Sequence, residues 1–268
     1  MKDIRFITRA DDAGSNHSAN RAIANCIRAG FIKNVSVMAP GAYVSEAADL
    51  FAKNKSVCFG MHATLNAEWD KVKWMPVSTL PKSSGLIDEQ GMFLPNPKLF
   101  LETKPDIAVI IKELDAQLDK LTRAGFSIGY VDSHMLFEAY IPGLDEAMKT
   151  WAREKGLLFH LYYYALPPGF QKVMMDSSQL LPVLKVLPSG QYFYVAHPAY
   201  DSAEMRLTGN NHESGEMVAR ERDKEARTLD KAYLKWLMRL MGIRPIRYDE
   251  AIPDETLTIR DIIAMFNG

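Results

Sequence analysis

The sequence predicts an α/β fold: about seven parallel strands wrapped by helices into an irregular barrel, with an open doubly wound sheet as the competing architecture. Three observations carry this. Short apolar, β-favouring runs alternate with amphipathic helical runs along the chain. Most of the strand-like runs have no polar face, as expected for parallel strands buried on both sides. Alternating β and α units imply right-handed crossovers between parallel neighbours. At 268 residues and 47% hydrophobic content the chain can bury a sizeable core. Barrels of this length commonly form one domain, so a single domain over 1–268 is expected.

The strand-like runs are Ile4 to Thr8, Val35 to Met38, Val57 to Thr64, Ser127 to Val131, Leu157 to His160, Gln191 to Ala196 and Arg244 to Tyr248. Helical patterns lie between them. In the first, Ala19, Ile23, Cys26 and Ile27 mark one face, and Gly30 is placed to end it. The clearest follows Pro105: Ile107, Ile110, Leu114, Leu118 and Leu121 recur every three or four residues, and Gly125 closes the pattern. A long one runs from about Gly215 to Met241, with Leu229, Tyr233, Trp236, Leu237 and Leu240 in its second half. One segment breaks the rhythm. Residues 66–97 hold Pro76, Pro81, Pro95 and Pro97 with several Gly and Ser. A connection of that length reads either as an insertion beside an active site or as a variable surface loop.

Charge excludes some partners. Lys plus Arg is 32 and Asp plus Glu is 33, for a net charge of -1, so neither nucleic acid nor a membrane surface is an expected partner. No stretch approaches the roughly 20 apolar residues that span a bilayer. The N-terminal run MKDIRFITRADDAG does not resemble a signal peptide, and the expected compartment is the cytoplasm. Cys26 and Cys58 lie in apolar runs and read as buried free thiols.

Four polar clusters share one position, each at or just past the end of a strand-like run. They are Asp11-Asp12 in TRADDAG, His62 in FGMHATL, Asp132 and His134 in YVDSHML, and His197 in YVAHPAY. If the strands are parallel, these ends gather on one face, where α/β folds place their active sites. Each cluster also has a plain structural reading. Asp-Asp before Ala-Gly makes a turn or helix cap, and a single histidine after a strand is commonly a hydrogen-bonded structural residue. Together, imidazoles and a carboxylate suit a catalytic metal site with open positions.

The motifs ADDAG, GMHATL, DSH and HPAY, in that order from Asp11 to His197, resemble the YdjC-like carbohydrate deacetylase family. That family includes chito-oligosaccharide deacetylases and is similar in mechanism to the NodB-type polysaccharide deacetylases. The resemblance implies a distorted (β/α) TIM-like barrel. It implies Asp12, His62 and His134 as ligands of one divalent metal ion; two His and one Asp would accept zinc, manganese or cobalt, and the resemblance brings in magnesium, so magnesium or zinc is the expectation. It implies Asp11 as general base and His197 as candidate general acid. The activity implied is hydrolysis of the C–N bond of an acetamide on a sugar. A helix carrying Arg220, Glu221 and Arg222 resembles the family's charged C-terminal helix, and Arg222 is a candidate substrate contact. The chain departs from the family pattern at Leu136 and Glu138, where two further histidines are usual. It also departs at Ala13, Asn16, His17 and Ala63. The changes beside His134 shift the expectation away from chito-oligosaccharides in particular.

Asp132 is expected either to orient a ligand histidine from behind or to make a structural hydrogen bond. Trp69 and Trp74 are candidates to stack on a sugar, or to pack the loop. Tyr162, Tyr163 and Tyr164 are candidates to line the pocket, or core residues; His160 is ambiguous, and His17 and His212 are expected to be non-catalytic. An acetylated sugar is the expected partner, and homodimer formation is left open. Two other functions compete: another metal-dependent amide, ester or phosphate hydrolase on the same barrel, or a catalytically altered sugar-binding protein.

Overall fold

The computed structural model describes residues 2–267 except 168, 171, 172, 174 and 175. Seven strands form one sheet in which every pairing is parallel: β1 Ile4–Ala13, β2 Asn34–Val37, β3 Cys58–Ala63, β4 Ile128–Ser133, β5 Leu158–Phe159, β6 Gly190–Ala196 and β7 Ile243–Ile246. The order is β5-β4-β3-β2-β1-β6, with β7 also on β1. Among the described residues β5 and β6 do not pair, so the curved sheet is a half-barrel that stays open on that side. All seven strands fall on the runs read from the sequence, although β5 shrinks to two residues.

The most connected strand is β1, which pairs with β2, β6 and β7 and is buried along nearly its whole length. Its first half, Ile4 to Ile7, lies between β7 and β6; its second half leaves β7 and joins β2. The fork would strand backbone groups, and one buried polar side chain satisfies them. Asn34 Nδ2 donates to Thr8 O and to Ile246 O, both at 3.0 Å, while Oδ1 accepts from Tyr248 N at 2.8 Å. A buried amide is stable only with such partners.

Among the described residues, the helices longer than one turn are α1 His17–Ala29, α2 Val44–Phe51, α3 Ile107–Arg123, α4 Leu144–Glu154, α5 Leu180–Val186, α6 Gly215–Leu229, α7 Ala232–Leu240 and α8 Ile259–Asn267. Asn16 caps α1 by accepting from Ala19 N at 2.7 Å, and Gly30 ends it in the left-handed region. Asp106 caps α3 through Ala108 N at 2.7 Å. The apolar stripe of α3 is buried at Ile110, Leu114 and Leu121, but Glu113 and Gln117 are buried with it. These two polar residues anchor the long β3–α3 connection. Gln117 exchanges hydrogen bonds with the backbone of Thr64, and Glu113 accepts from the N–H groups of Val77 and Ser78. That connection holds only short 3-10 turns, one helical turn (Phe100–Thr103) and an isolated bridge between Ile87 and Phe93. It is nonetheless packed, with Leu65, Ala67, Trp69, Trp74, Leu86 and Phe93 buried.

Two expectations change. The helical pattern of 215–241 breaks after Leu229, because Asp230 caps α6 and the chain restarts at Ala232. The break rotates the stripe. Leu234 and Met238 are buried, while Tyr233, Trp236 and Leu240 are 54%, 63% and 64% exposed. Both cysteines are free; Cys26 is buried, but Cys58 is only half-buried. No helix among the described residues is long and apolar enough to cross a membrane.

Candidate metal centre and cleft

The register of the sheet assembles the site. Asp11 and Asp12 close β1, His62 lies near the end of β3, and Asp132 sits opposite His62 in the β3–β4 register. His134 follows β4 directly. His62 Nε2 and His134 Nδ1 are 3.1 Å apart, and Asp12 Oδ1 lies 3.6 Å and 3.7 Å from them. Asp12 is held at φ 63, a left-handed conformation that a non-glycine residue adopts at a cost of about 1–3 kcal/mol.

The proton positions follow from the partners. A carboxylate only accepts, so the nitrogens that face carboxylates carry the hydrogens. His62 Nδ1 donates to Asp132 Oδ2 at 2.6 Å, and His134 Nε2 donates to Glu68 Oε2 at 2.8 Å. When each ring is neutral, its remaining nitrogen aims a lone pair at the same point as Asp12 Oδ1. That oxygen is buried without a hydrogen-bond partner. Three acceptors converging in a buried place repel one another unless a cation or a proton joins them. Two imidazoles and one carboxylate fit a divalent metal, and the three atoms are close enough to share one.

Asp11, His62 and Asp132 are also mutually close, but their charge is already answered. Arg9 donates from Nε and Nη2 to the two oxygens of Asp11, each at 2.7 Å, and its Nη2 lies 3.3 Å from Asp132 Oδ2. Its Nη1 donates to Tyr248 at 3.1 Å, and Phe193 lies under the guanidinium. Arg9 was not anticipated from the sequence. The signal was present in its position two residues before Asp11, on the same face of one strand.

Electrostatics separates the groups further. Burial alone would raise the Asp12 carboxyl, but Arg222 foremost, then His197, His134 and His62, hold it far below the ordinary carboxylate range. Arg222 Nη1 donates to Asp12 Oδ2 at 2.7 Å, which leaves Oδ1 for a cation. Burial would also raise Asp132, and Arg9 and His62 lower it more. Burial opposes a charge on His62, yet Asp132, then Asp11 and Asp12, raise its pKa to about 9.

Beside this centre lies a cleft of about 570 Å³. Trp69, Tyr194, His197, Met217, Arg222 and Glu225 are among its walls. The backbone N–H of His197 donates to Glu225 Oε2 at 2.6 Å, and Tyr194 donates to Glu225 Oε1 at 3.0 Å. Arg222 lies 6.0 Å from the Trp69 ring centroid. Trp74 meets the His134 ring edge-on at 5.7 Å. Tyr162 is not brought to this cleft. Its ring packs on Phe159 and lies near the Lys149 ammonium, and Tyr163 and Tyr164 are buried core residues. His17 pairs with Glu46 at 2.5 Å, away from the ligand set.

A family model described as YdjC-like protein matches residues 5–239. The chain belongs to the YdjC-like family. Relatives named carbohydrate deacetylase occur in Thermoanaerobacter pseudethanolicus (24% identical, covering 79% of this chain and 88% of that protein). Another is found in Brevibacillus brevis (24%, 92% and 99%). A third, in Danio rerio, is 29% identical, but the match spans 56% of this chain and 46% of that protein. In structure, the chain resembles a protein of Enterococcus faecalis that has been proposed to cleave cellobiose-phosphate. The TM-score is 0.73 at 19% identity, covering 92% and 98% of the two chains, a likeness of fold.

Within this YdjC-like chain, the residues that depart from the family pattern after His134 can be placed. Met135 and Leu136 both take left-handed backbone angles, φ 58 and φ 50. Glu138 points into the core and accepts from His160 Nε2 at 3.0 Å, with both side chains fully buried. The ambiguous His160 is therefore the partner of the residue that stands where the family usually has a histidine.

Proposed function

We propose that this protein is a metal-dependent carbohydrate deacetylase, which hydrolyses the acetamide of an N-acetylated sugar or oligosaccharide to acetate and an amino sugar. The observation that carries the reading is the convergence of His62 Nε2, His134 Nδ1 and the unpartnered Asp12 Oδ1 beside a cleft lined by aromatic and polar groups. The YdjC-like membership and the relatives named carbohydrate deacetylase support the same chemistry. A divalent cation bound there would supply Lewis-acid polarisation of the amide carbonyl and acidification of water.

The chain's own residues do the rest. Arg9 grips both oxygens of Asp11 and fixes the direction of its lone pairs. Asp11 accepts the proton of the attacking water as the water oxygen bonds to the carbonyl carbon. As the C–N bond breaks, the leaving nitrogen takes a proton from His197, a residue that lines the cleft. Asp132 and Glu68 keep the two ligand histidines in the required tautomers. Trp69 offers an apolar face to a sugar ring, and Arg222 holds Asp12.

Acetate release from a panel of N-acetylated mono- and oligosaccharides tests the reading. The expected result is release that stops with a chelator, returns with a divalent ion, and is lost in Asp11→Asn while metal is retained. Metal-loaded protein that releases no acetate from any of them would overturn deacetylation.

A further inference from the structure

Resting on the reading of Asp12, His62 and His134 as a metal centre, we propose that Glu68 is a positioning residue for His134, and that through it the 66–97 insertion is coupled to metal occupancy. The two ligand histidines are held differently. His62 is a strand residue whose ring is fixed by Asp132, a neighbour in the sheet register. His134 lies just past the sheet, before two residues in left-handed conformation. From the strands, His62 and Asp12 approach the ligand atom Nδ1. The far side of the ring is set by two insertion residues: Glu68 accepts from Nε2 at 2.8 Å, and Trp74 packs edge-on against the ring.

Glu68 is itself well anchored. Its side chain is 10% exposed, unlike the solvated pair of Lys82 and Glu89 in the same insertion. The flanking backbone is tied on both sides, Ala67 N to Leu94 O and Asp70 N to Gly209 O, each at 2.9 Å. Asn210 Nδ2 donates to the carbonyl of Glu68 at 3.3 Å. Glu113 then fixes the segment after Trp74. A carboxylate held this firmly keeps the hydrogen on Nε2 and the lone pair on Nδ1, the atom that faces Asp12 and His62. Partners behind a ligand histidine typically carry about 10–100-fold in metal affinity. Linkage requires the converse: metal on His134 holds Glu68, and with it the insertion, in place.

The test is zinc affinity by competition with a chromophoric chelator, together with amide hydrogen exchange over 66–78. Glu68→Gln keeps an acceptor for Nε2–H but loses the charge, and its affinity is expected to fall about tenfold. Glu68→Ala loses both and should fall nearer 100-fold. Glu89→Gln should not change affinity. In the wild type, zinc should slow exchange over 66–78; in Glu68→Ala it should not. Should Glu68→Ala fail to fold, the Gln variant and the wild-type exchange measurement decide. Wild-type zinc affinity in Glu68→Gln, or exchange over 66–78 indifferent to zinc in the wild type, would overturn the proposal. Failure of the metal-centre reading looks different: wild-type protein would bind no zinc, or Asp12→Ala would bind it as well as wild type.

Discussion

His62 and His134 have the same proposed task and opposite surroundings. His62 is part of the sheet, and Asp132 and Arg9 behind it form a closed, buried network. His134 stands outside the ladder, held by Glu68 and Trp74 from a connection without regular strands. One half of the centre is built by the register of parallel strands. The other half is completed by the long β3–α3 connection, which the sheet does not dictate. Changes to the first half should therefore cost stability as well as function, whereas changes to the second should act mainly on metal affinity.

The largest effect should come where the two halves meet. Asp12→Ala removes the one carboxylate oxygen facing both rings, and metal content and acetate release should both drop to background, measured by elemental analysis and an acetate assay. Next is Arg9→Met, which leaves Asp11 and Asp132 buried without their cation. Breaking a buried pair this way costs about 3–5 kcal/mol, readable as a lower urea midpoint. An unchanged midpoint would remove Arg9 as the support of the sheet-held half. Asp132→Asn should sharpen the contrast: it should lose both metal affinity and stability, while Glu68→Gln loses affinity with its melting temperature nearly unchanged. Equal melting-temperature losses in the two variants would erase the distinction.

The sheet-held half should also govern pH dependence. Without metal, the His62 pKa lies near 9, above the usual 6.5. A raised histidine pKa stabilises the metal-free fold fully below about pH 6.5, and that contribution is lost as pH rises through about 9. The proton must leave Nε2 before the nitrogen can bind a cation. Zinc affinity should therefore rise with pH by about tenfold per unit and level off near 9. Titration in a chelator-buffered series checks this, and a pH-independent affinity between 7 and 9 would contradict it. The smallest effect expected is Trp74→Leu, which removes an edge-on contact worth about 0.5–1.5 kcal/mol. It should weaken zinc binding by severalfold at most in the same competition assay.

The same division separates what was legible in the sequence from what was not. All seven strands were readable because buried parallel strands are short unbroken apolar runs. His62, Asp132 and His134 were readable because they sit at the ends of those runs. Glu68 carried no such mark. A carboxylate in a proline-rich connection has no periodicity to place it, and its partner lies 66 residues away. Arg9 was overlooked for another reason: an arginine inside an apolar strand reads as a surface-facing residue until its buried acids are known. Glu113 and Gln117 were hidden in the apolar face of α3, where their role is to satisfy loop backbone. The run after Leu229 misled because one break at Asp230 rotates a helical stripe.

Anomalous diffraction from crystals of the zinc-loaded protein tests the central claim most directly. The account predicts one peak within about 2.0–2.2 Å of Asp12 Oδ1, His62 Nε2 and His134 Nδ1, with Glu68 still on His134 Nε2 and Arg9 still on Asp11. A peak among Asp11, His62 and Asp132 instead, or no peak at either place, would contradict it.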